Sequence, residues 1–276
     1  MPTQNSTNYS PTQYAIQVGS TNGSLSQISP ATTLIPQPLT SAGASANPAF
    51  SAVAAYSFTM NRQVFTVSGT YTPTTNMKYA IIECVGGGGS TGNLTGTQVN
   101  TVVAHASCTG GTYSRGVFSA ASVGASQTAT IGAGGTSAGA GGTTSIGSLI
   151  TAPGGGGLAA IASNTALIYG GTGGAPGAAG SGGSFFFQGS SSKNAIAAFV
   201  STSALFSSGA RGGSTFFGGG GAGTGTVTNG TKVAANAGVS YGGGAGGCCM
   251  GSNVAASAVG ASGFQGIIII TEIIHT

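Results

Sequence analysis

Charge is what this chain has least of. Its 276 residues include six Lys/Arg and two Asp/Glu; both acids are glutamates, Glu83 and Glu272, and there is no Trp. An ordinary soluble domain is about a quarter charged. Proton-transfer chemistry near neutral pH would have to draw on Glu83, Glu272, His105 and His275 alone. If the strands that carry them paired, the two glutamates would come near each other, as in a glycosidase pair, yet no sugar-binding cleft accompanies them. The expectation is no enzyme and no catalytic residue.

The cations Arg62, Lys78, Arg115, Lys193, Arg211 and Lys232 stand singly, so the basic run expected of a nucleic-acid groove is missing and no nucleic-acid partner is expected. Long apolar runs are missing too. The stretch Ile267 to Ile270 is far short of the ~20 residues of a membrane-spanning helix, so no membrane insertion is expected. The N-terminal MPTQNSTNYSPTQY has no basic segment followed by an apolar one, which argues against secretion.

Cysteine is scarce. Cys84, Cys108, Cys248 and Cys249 in a chain without a secretory signal read as free thiols, and the adjacent pair does not match the spacing of zinc ligands. GGGGSTG at 86–92 lacks the Lys of a phosphate loop. No metal and no cofactor are expected.

What the chain has in excess is glycine, 54 residues, on a background that is 40% hydrophobic with a mean hydropathy of +0.29. That hydrophobicity argues against charge-driven disorder. The clustering as GGGG, GGTGG and GGGAGG, without a strict three-residue repeat, excludes collagen. Glycine-rich blocks at 153–157, 170–183, 212–224 and 242–251 alternate with unlike segments such as NTALIY, SFFFQGSSSKNAIAAFVSTSALF and TVTNGTKVAANAGVSY. Flexible linker is one reading of such blocks. The other is a set of extended three-residue-per-turn glycine helices, close enough without Cβ atoms for their backbones to pair. Aromatic residues at the breaks favour the second.

Strand signals flank these blocks. VFTVSGTYTP and MKYAIIECV, within Gln63–Val85, are expected to form a hairpin; Gly116–Val123, Gln127–Gly132 and Thr143–Pro153 are further strands. In GFQGIIIITEII the β-branched run predicts a strand covered on both faces, pairing with Tyr79–Val85.

The succession TVSGTYTPTTNMKYAIIECVGGGGSTG, YSRGVFSAASVGASQTATIGAGGTS, GGTTSIGSLITAPGGGG and SGFQGIIIITE resembles the glycine-rich domain of bacteriophage tail-fibre and tip-adhesin proteins. The upstream VGSTNGSLSQISPATTLIPQPLTSAGASANPAFSAV is similar to a short module that precedes the distal domain of such fibres. The resemblance implies a virion tail-fibre or tail-tip adhesin, made in the host cytoplasm. It would bind a bacterial surface receptor (protein, pilus or glycan) through variable loops on a glycine scaffold. The arm ahead of the glycine-rich body favours a homotrimer joined to other tail proteins. The alternative is a structural fibre or baseplate component without receptor binding.

The expected fold is all-β and irregular: a small β-sheet region closing onto a packed polyglycine-II-like glycine-rich domain, preceded by an extended fibre-like arm. Its expected divisions are an arm at 1–56, a β-rich base at 57–152 and a glycine-rich distal domain at 153–276. Candidate receptor-binding residues are Phe185, Phe186, Phe187, Lys193, Phe206, Arg211, Phe216, Phe217, Tyr241 and Met250. The aromatic clusters have two readings, a small core or an exposed contact surface.

Overall fold

The computed structural model describes residues 57–96, 101–162, 168–170, 173, 177–201 and 204–275, together with four strands nearer the N-terminus. The chain forms two compact units, Met1–Ser57 and Phe58–Thr276. In the first, Ile16–Gly19 pairs antiparallel with Leu25–Ile28, and Leu39–Thr40 with Ala49–Phe50. The second is mostly strands in several sheets, with a single helical turn, Ala120–Val123, among the described residues.

The largest sheet is antiparallel and has five strands, in the order Phe185–Phe187, Tyr113–Ser119, Met77–Val85, Ile267–His275 and Phe58–Phe65. The Ile267–His275 strand is internal, and Ile267 to Ile270 are all buried, which only a strand covered on both faces can satisfy. It pairs with Met77–Val85, as its composition predicts. It also displaces the expected hairpin: Phe58–Phe65, whose Asn61, Arg62 and Gln63 suit an edge, joins the other side of the C-terminal strand. Strands from 57–152 and from 153–276 therefore share one sheet.

A second sheet of four short strands, Ile150–Ala152, Thr144–Ile146, Gln127–Thr130 and Gly69–Tyr71, lies over one face of the first. The expected single strand over 143–153 folds back on itself at Gly147, whose φ of 46° suits a residue without a Cβ. The expected strand at 116–123 ends at Ser119, whose hydroxyl caps the helical turn by accepting from the Ser122 amide. Between the sheets lie Tyr71, Ala80, Ile82, Cys84, Ala129, Ile146, Ile150, Ile268 and Ile270.

From Val85 the chain runs straight into Gly86–Ser90, which is buried without any large side chain. Its amides pair with a spacing of three. Gly86 and Gly89 donate to the carbonyls of Thr112 and Thr109 (3.0 and 3.1 Å), Gly87 and Ser90 to Gly142 and Gly139 (2.9 and 3.0 Å), and Gly88 and Thr91 to Phe264 and Ala261 (2.8 and 3.0 Å). In each pair a step of three along one segment is a step of three back along its neighbour. The carbonyls point to other segments: Gly87 and Ser90 accept from Gly155 and Leu158 (2.8 and 3.0 Å), Gly88 from Gly135 (2.8 Å) and Gly89 from Ala245 (3.0 Å).

The same spacing recurs nearby. Ser107 and Gly110 donate to Lys193 and Ser190, Cys108 and Gly111 to Ala245 and Gly242, and Thr109 and Thr112 to Gly156 and Pro153. Side-chain-free contact makes this possible. A Cβ on Gly87 would meet the Ala133 carbonyl oxygen at 2.1 Å, and one on Gly141 would meet that of Gly87 at 2.0 Å. Backbone groups that would otherwise be buried unpaired are thus satisfied by main chain from distant parts of the sequence.

Candidate surface sites on the glycine-rich body

The Phe185–Phe187 strand is an edge of the large sheet, pairing with Tyr113, Ser114 and Arg115. Alternation puts Phe185 and Phe187 on the outer face with Tyr113, and Phe186 on the other. On the outer face the rings form one cluster. Tyr113 stacks on Phe216 at 4.3 Å between centroids, Phe185 meets Phe187 edge-on at 4.5 Å, and Phe217 meets Phe216 edge-on at 5.5 Å. Phe216 remains 57% exposed and Phe187 48%. Tyr113 is buried beneath them, and its hydroxyl donates to Glu83 Oε1 at 2.6 Å. Burial, the Glu83 hydrogen bond and the Glu83 charge push the Tyr113 phenol up, so it stays a neutral donor.

The ten candidate contact residues therefore separate. Phe185, Phe187 and Phe216 gather at one exposed patch. Phe217 and Tyr241 are half-buried beside Val85, Tyr113, Ile267 and Ile269, with Tyr241 edge-on to Phe264 at 5.4 Å. Phe186 is exposed outside this cluster, and Phe206 is exposed on the separate strand Ala204–Gly209. Met250 is a correction: it is fully buried with Leu94, Val103, Cys248 and Val254, because its short strand lies between Val102–Ala104 and Lys232–Val233. Lys193 and Arg211 are exposed and line one open depression of about 570 Å³. Tyr113, the anchor of the ring cluster, is a residue that sequence reasoning missed. Its only signal was an aromatic side chain at the head of a strand.

Among the described residues the two glutamates stand apart. Strand register pairs Glu83 with Ile269 and Glu272 with Ala80, which puts the two carboxylates on opposite faces of the sheet. Glu272 is fully buried. It accepts from Tyr71 Oη at 2.9 Å, Asn61 Nδ2 at 3.0 Å, Gln63 Nε2 at 3.3 Å, the Thr74 amide at 3.0 Å and the Thr74 hydroxyl at 2.5 Å. Burial works to raise its pKa, but the Thr74 hydroxyl and amide, with Tyr71 and Asn61, outweigh it and hold the carboxyl below the usual carboxylate range.

His105 is buried with both ring nitrogens against backbone carbonyls, Nδ1 to Ala106 at 2.9 Å and Nε2 to Ala159 at 2.8 Å, which makes it a packing residue. Among the described residues no His, Cys, Asp or Glu cluster could hold a metal ion. All four cysteines are free and buried, and burial pushes the Cys108 thiol up to about 12 and Cys248 to about 11. Among the described residues no helix is long and apolar enough to cross a membrane. No protein-family model and no curated protein matches the sequence.

Proposed function

We propose that this chain is a bacteriophage tail-fibre or tail-tip receptor-binding protein that attaches the virion to a bacterial surface receptor. The reading takes the glycine segments as packed helices of the polyglycine II type, residues 1–56 as the attachment arm, and the segments between glycine blocks as specificity loops. One observation carries it: the exposed ring cluster of Phe185, Phe187 and Phe216 is anchored on Tyr113 at the edge of a backbone-bonded body. Aromatic residues on a rigid support contribute contact area at little entropic cost, and they dominate interface energetics. The scarcity of charge suits recognition through apolar contacts.

The Phe187→Ala/Phe216→Ala double variant tests this. Binding of the full chain to whole cells across a host panel is expected to fall about tenfold or more, the range for loss of anchor aromatics. Replacing residues 184–211 is expected to change which hosts are bound. Undiminished adsorption in both cases would favour a structural fibre component instead.

A homotrimeric assembly belongs to the same proposal. The outer face of the large sheet also carries Met60 (79% exposed), Val64, Tyr79 and Val117, with Phe58 at its corner, around Arg62 and Thr271. Together these five apolar side chains expose on the order of 500 Å² of apolar surface, within the range of the largest patch on a typical monomer, which is often an interaction site. Sedimentation equilibrium is expected to give three chains for the native protein and one for Met60→Arg/Val117→Arg. A native monomer would remove the trimer from the proposal.

A further inference from the structure

The chain has two side-chain carboxylates and both are engaged, Glu272 inside the sandwich and Glu83 with Tyr113. Lys193 and Arg211 nonetheless converge on one depression of about 570 Å³, which they share with Asn194, Ser208 and Thr224. Neither the Lys193 ammonium nor the Arg211 guanidinium has a hydrogen-bond or ion-pair partner among the described residues. Two like charges brought into one concavity without an anion repel each other, and they raise the local concentration of anions.

Their backbones are held in place. The Lys193 amide donates to Ser107 Oγ at 3.0 Å, and the Ser107 amide returns a bond to the Lys193 carbonyl at 3.4 Å. Arg211 sits between Ala210, which donates to His105 O at 3.3 Å, and Gly212, which donates to Gly221 O at 2.8 Å. Asn194 Oδ1 accepts from the Gly173 amide at 2.8 Å, which leaves its amide nitrogen as a donor for a ligand. The rest of the lining is Gly, Ala and the hydroxyls of Ser208 and Thr224, which donate to the Thr224 and Gly247 carbonyls at 3.2 and 2.7 Å, with no aromatic ring. The volume falls in the range of about 300–1,000 Å³ that holds small molecules.

We propose that this depression binds an oxyanion-bearing sugar, with Lys193 and Arg211 as the charge partners of its phosphate or carboxylate and the Asn194 amide nitrogen donating to one of its hydroxyls. The inference rests on the attachment reading for the source of the ligand, a bacterial surface glycan. Charge-assisted contacts are the strong ones, and Arg is suited to planar, bidentate recognition of either group.

Isothermal titration of the full chain with glucose 6-phosphate, glucuronate and glucose tests the site. One or both charged sugars bind and glucose does not. Lys193→Ala/Arg211→Ala weakens that binding at least about tenfold with an unchanged thermal midpoint, and raising NaCl toward about 0.5 M weakens it in the native chain. Preference for glucose 6-phosphate points to a phosphorylated glycan, and preference for glucuronate to a carboxylated one. Failure of both charged sugars to bind at about 10 mM, equal binding of glucose, or undiminished binding by the double variant overturns the site. Whole-cell binding of the same proteins separates the two proposals. Charged-sugar binding without cell binding counts against attachment and keeps the site, whereas cell binding without charged-sugar binding keeps attachment and overturns the site.

Discussion

Gly88→Ala is expected to abolish the native fold or lower its thermal midpoint by about 8–16 °C, the equivalent of roughly 4 kcal/mol in a unit of this size. The added methyl would lie 2.0 Å from the Gly243 carbonyl oxygen and 2.4 Å from its carbon. Relief requires a backbone shift. Gly88, however, donates to Phe264 and accepts from Gly135, and Gly243 accepts from Phe264, so a shift in either segment stretches bonds to a third. Overpacking costs about 1–3 kcal/mol where side chains can yield, and each lost hydrogen bond adds about 1 kcal/mol. Gly219→Ala is the matched control, because a methyl added there would have nothing within 4 Å and the φ of Gly219 is ordinary. Thermal denaturation of the two variants side by side decides the matter: equal midpoints would mean that the glycine segments are not packed as described.

Glu272→Ala is expected to cost on the order of 3 kcal/mol or more at neutral pH, because it leaves the buried Tyr71 hydroxyl with only the weak Met77 sulfur acceptor and leaves Asn61, Gln63 and Thr74 donors without their shared acceptor. The effect has a pH signature. The folded carboxyl titrates below its unfolded value, so its stabilisation is complete above an unfolded pKa of about 4.3 and is lost as pH falls through the lower folded value. The midpoint gap between native protein and variant should therefore be widest near pH 6–7 and narrow below about pH 4. The other side-chain carboxylate, Glu83, is present in both proteins, so its titration drops out of the comparison. A gap that stays constant from neutral to strongly acid solution would remove the carboxylate network from this account.

Much of the sheet was legible in sequence. IIIITEII announced a doubly covered strand, and its pairing with Tyr79–Val85 followed from two apolar runs seeking each other at the ends of the glycine-rich stretch. The hairpin expectation failed because proximity in sequence favours local pairing, whereas the internal slot between Met77–Val85 and Phe58–Phe65 goes to the strand with most apolar surface to bury. Phe58–Phe65, with a polar stretch at 61–63, could tolerate an edge. Glu272 was equally hidden: five donors from Asn61, Gln63, Tyr71 and Thr74 come together only once three strands and a loop are assembled.

The surface sites divide in the same way. The exposed phenylalanines could be named from sequence but not sorted into core and surface, because FFF alternates its faces only after Tyr113–Arg115 sets its register. Met250 looked like part of an apolar tip, and a two-residue strand buried it. Lys193 and Arg211 were isolated cations until two backbone segments, one pinned through Ser107 and one through His105, brought them to the same hollow.

Composition by itself determined that this protein is β-structured and nearly uncharged, and that its glycines had to pair through backbone if they were ordered at all; those are properties of side-chain inventory and local conformational cost. Which glycine lies against which carbonyl, which face a carboxylate occupies and which cations meet were decided by tertiary structure. Residues without side chains carry no local code for their neighbours, so their partners are selected only when the flanking strands dock.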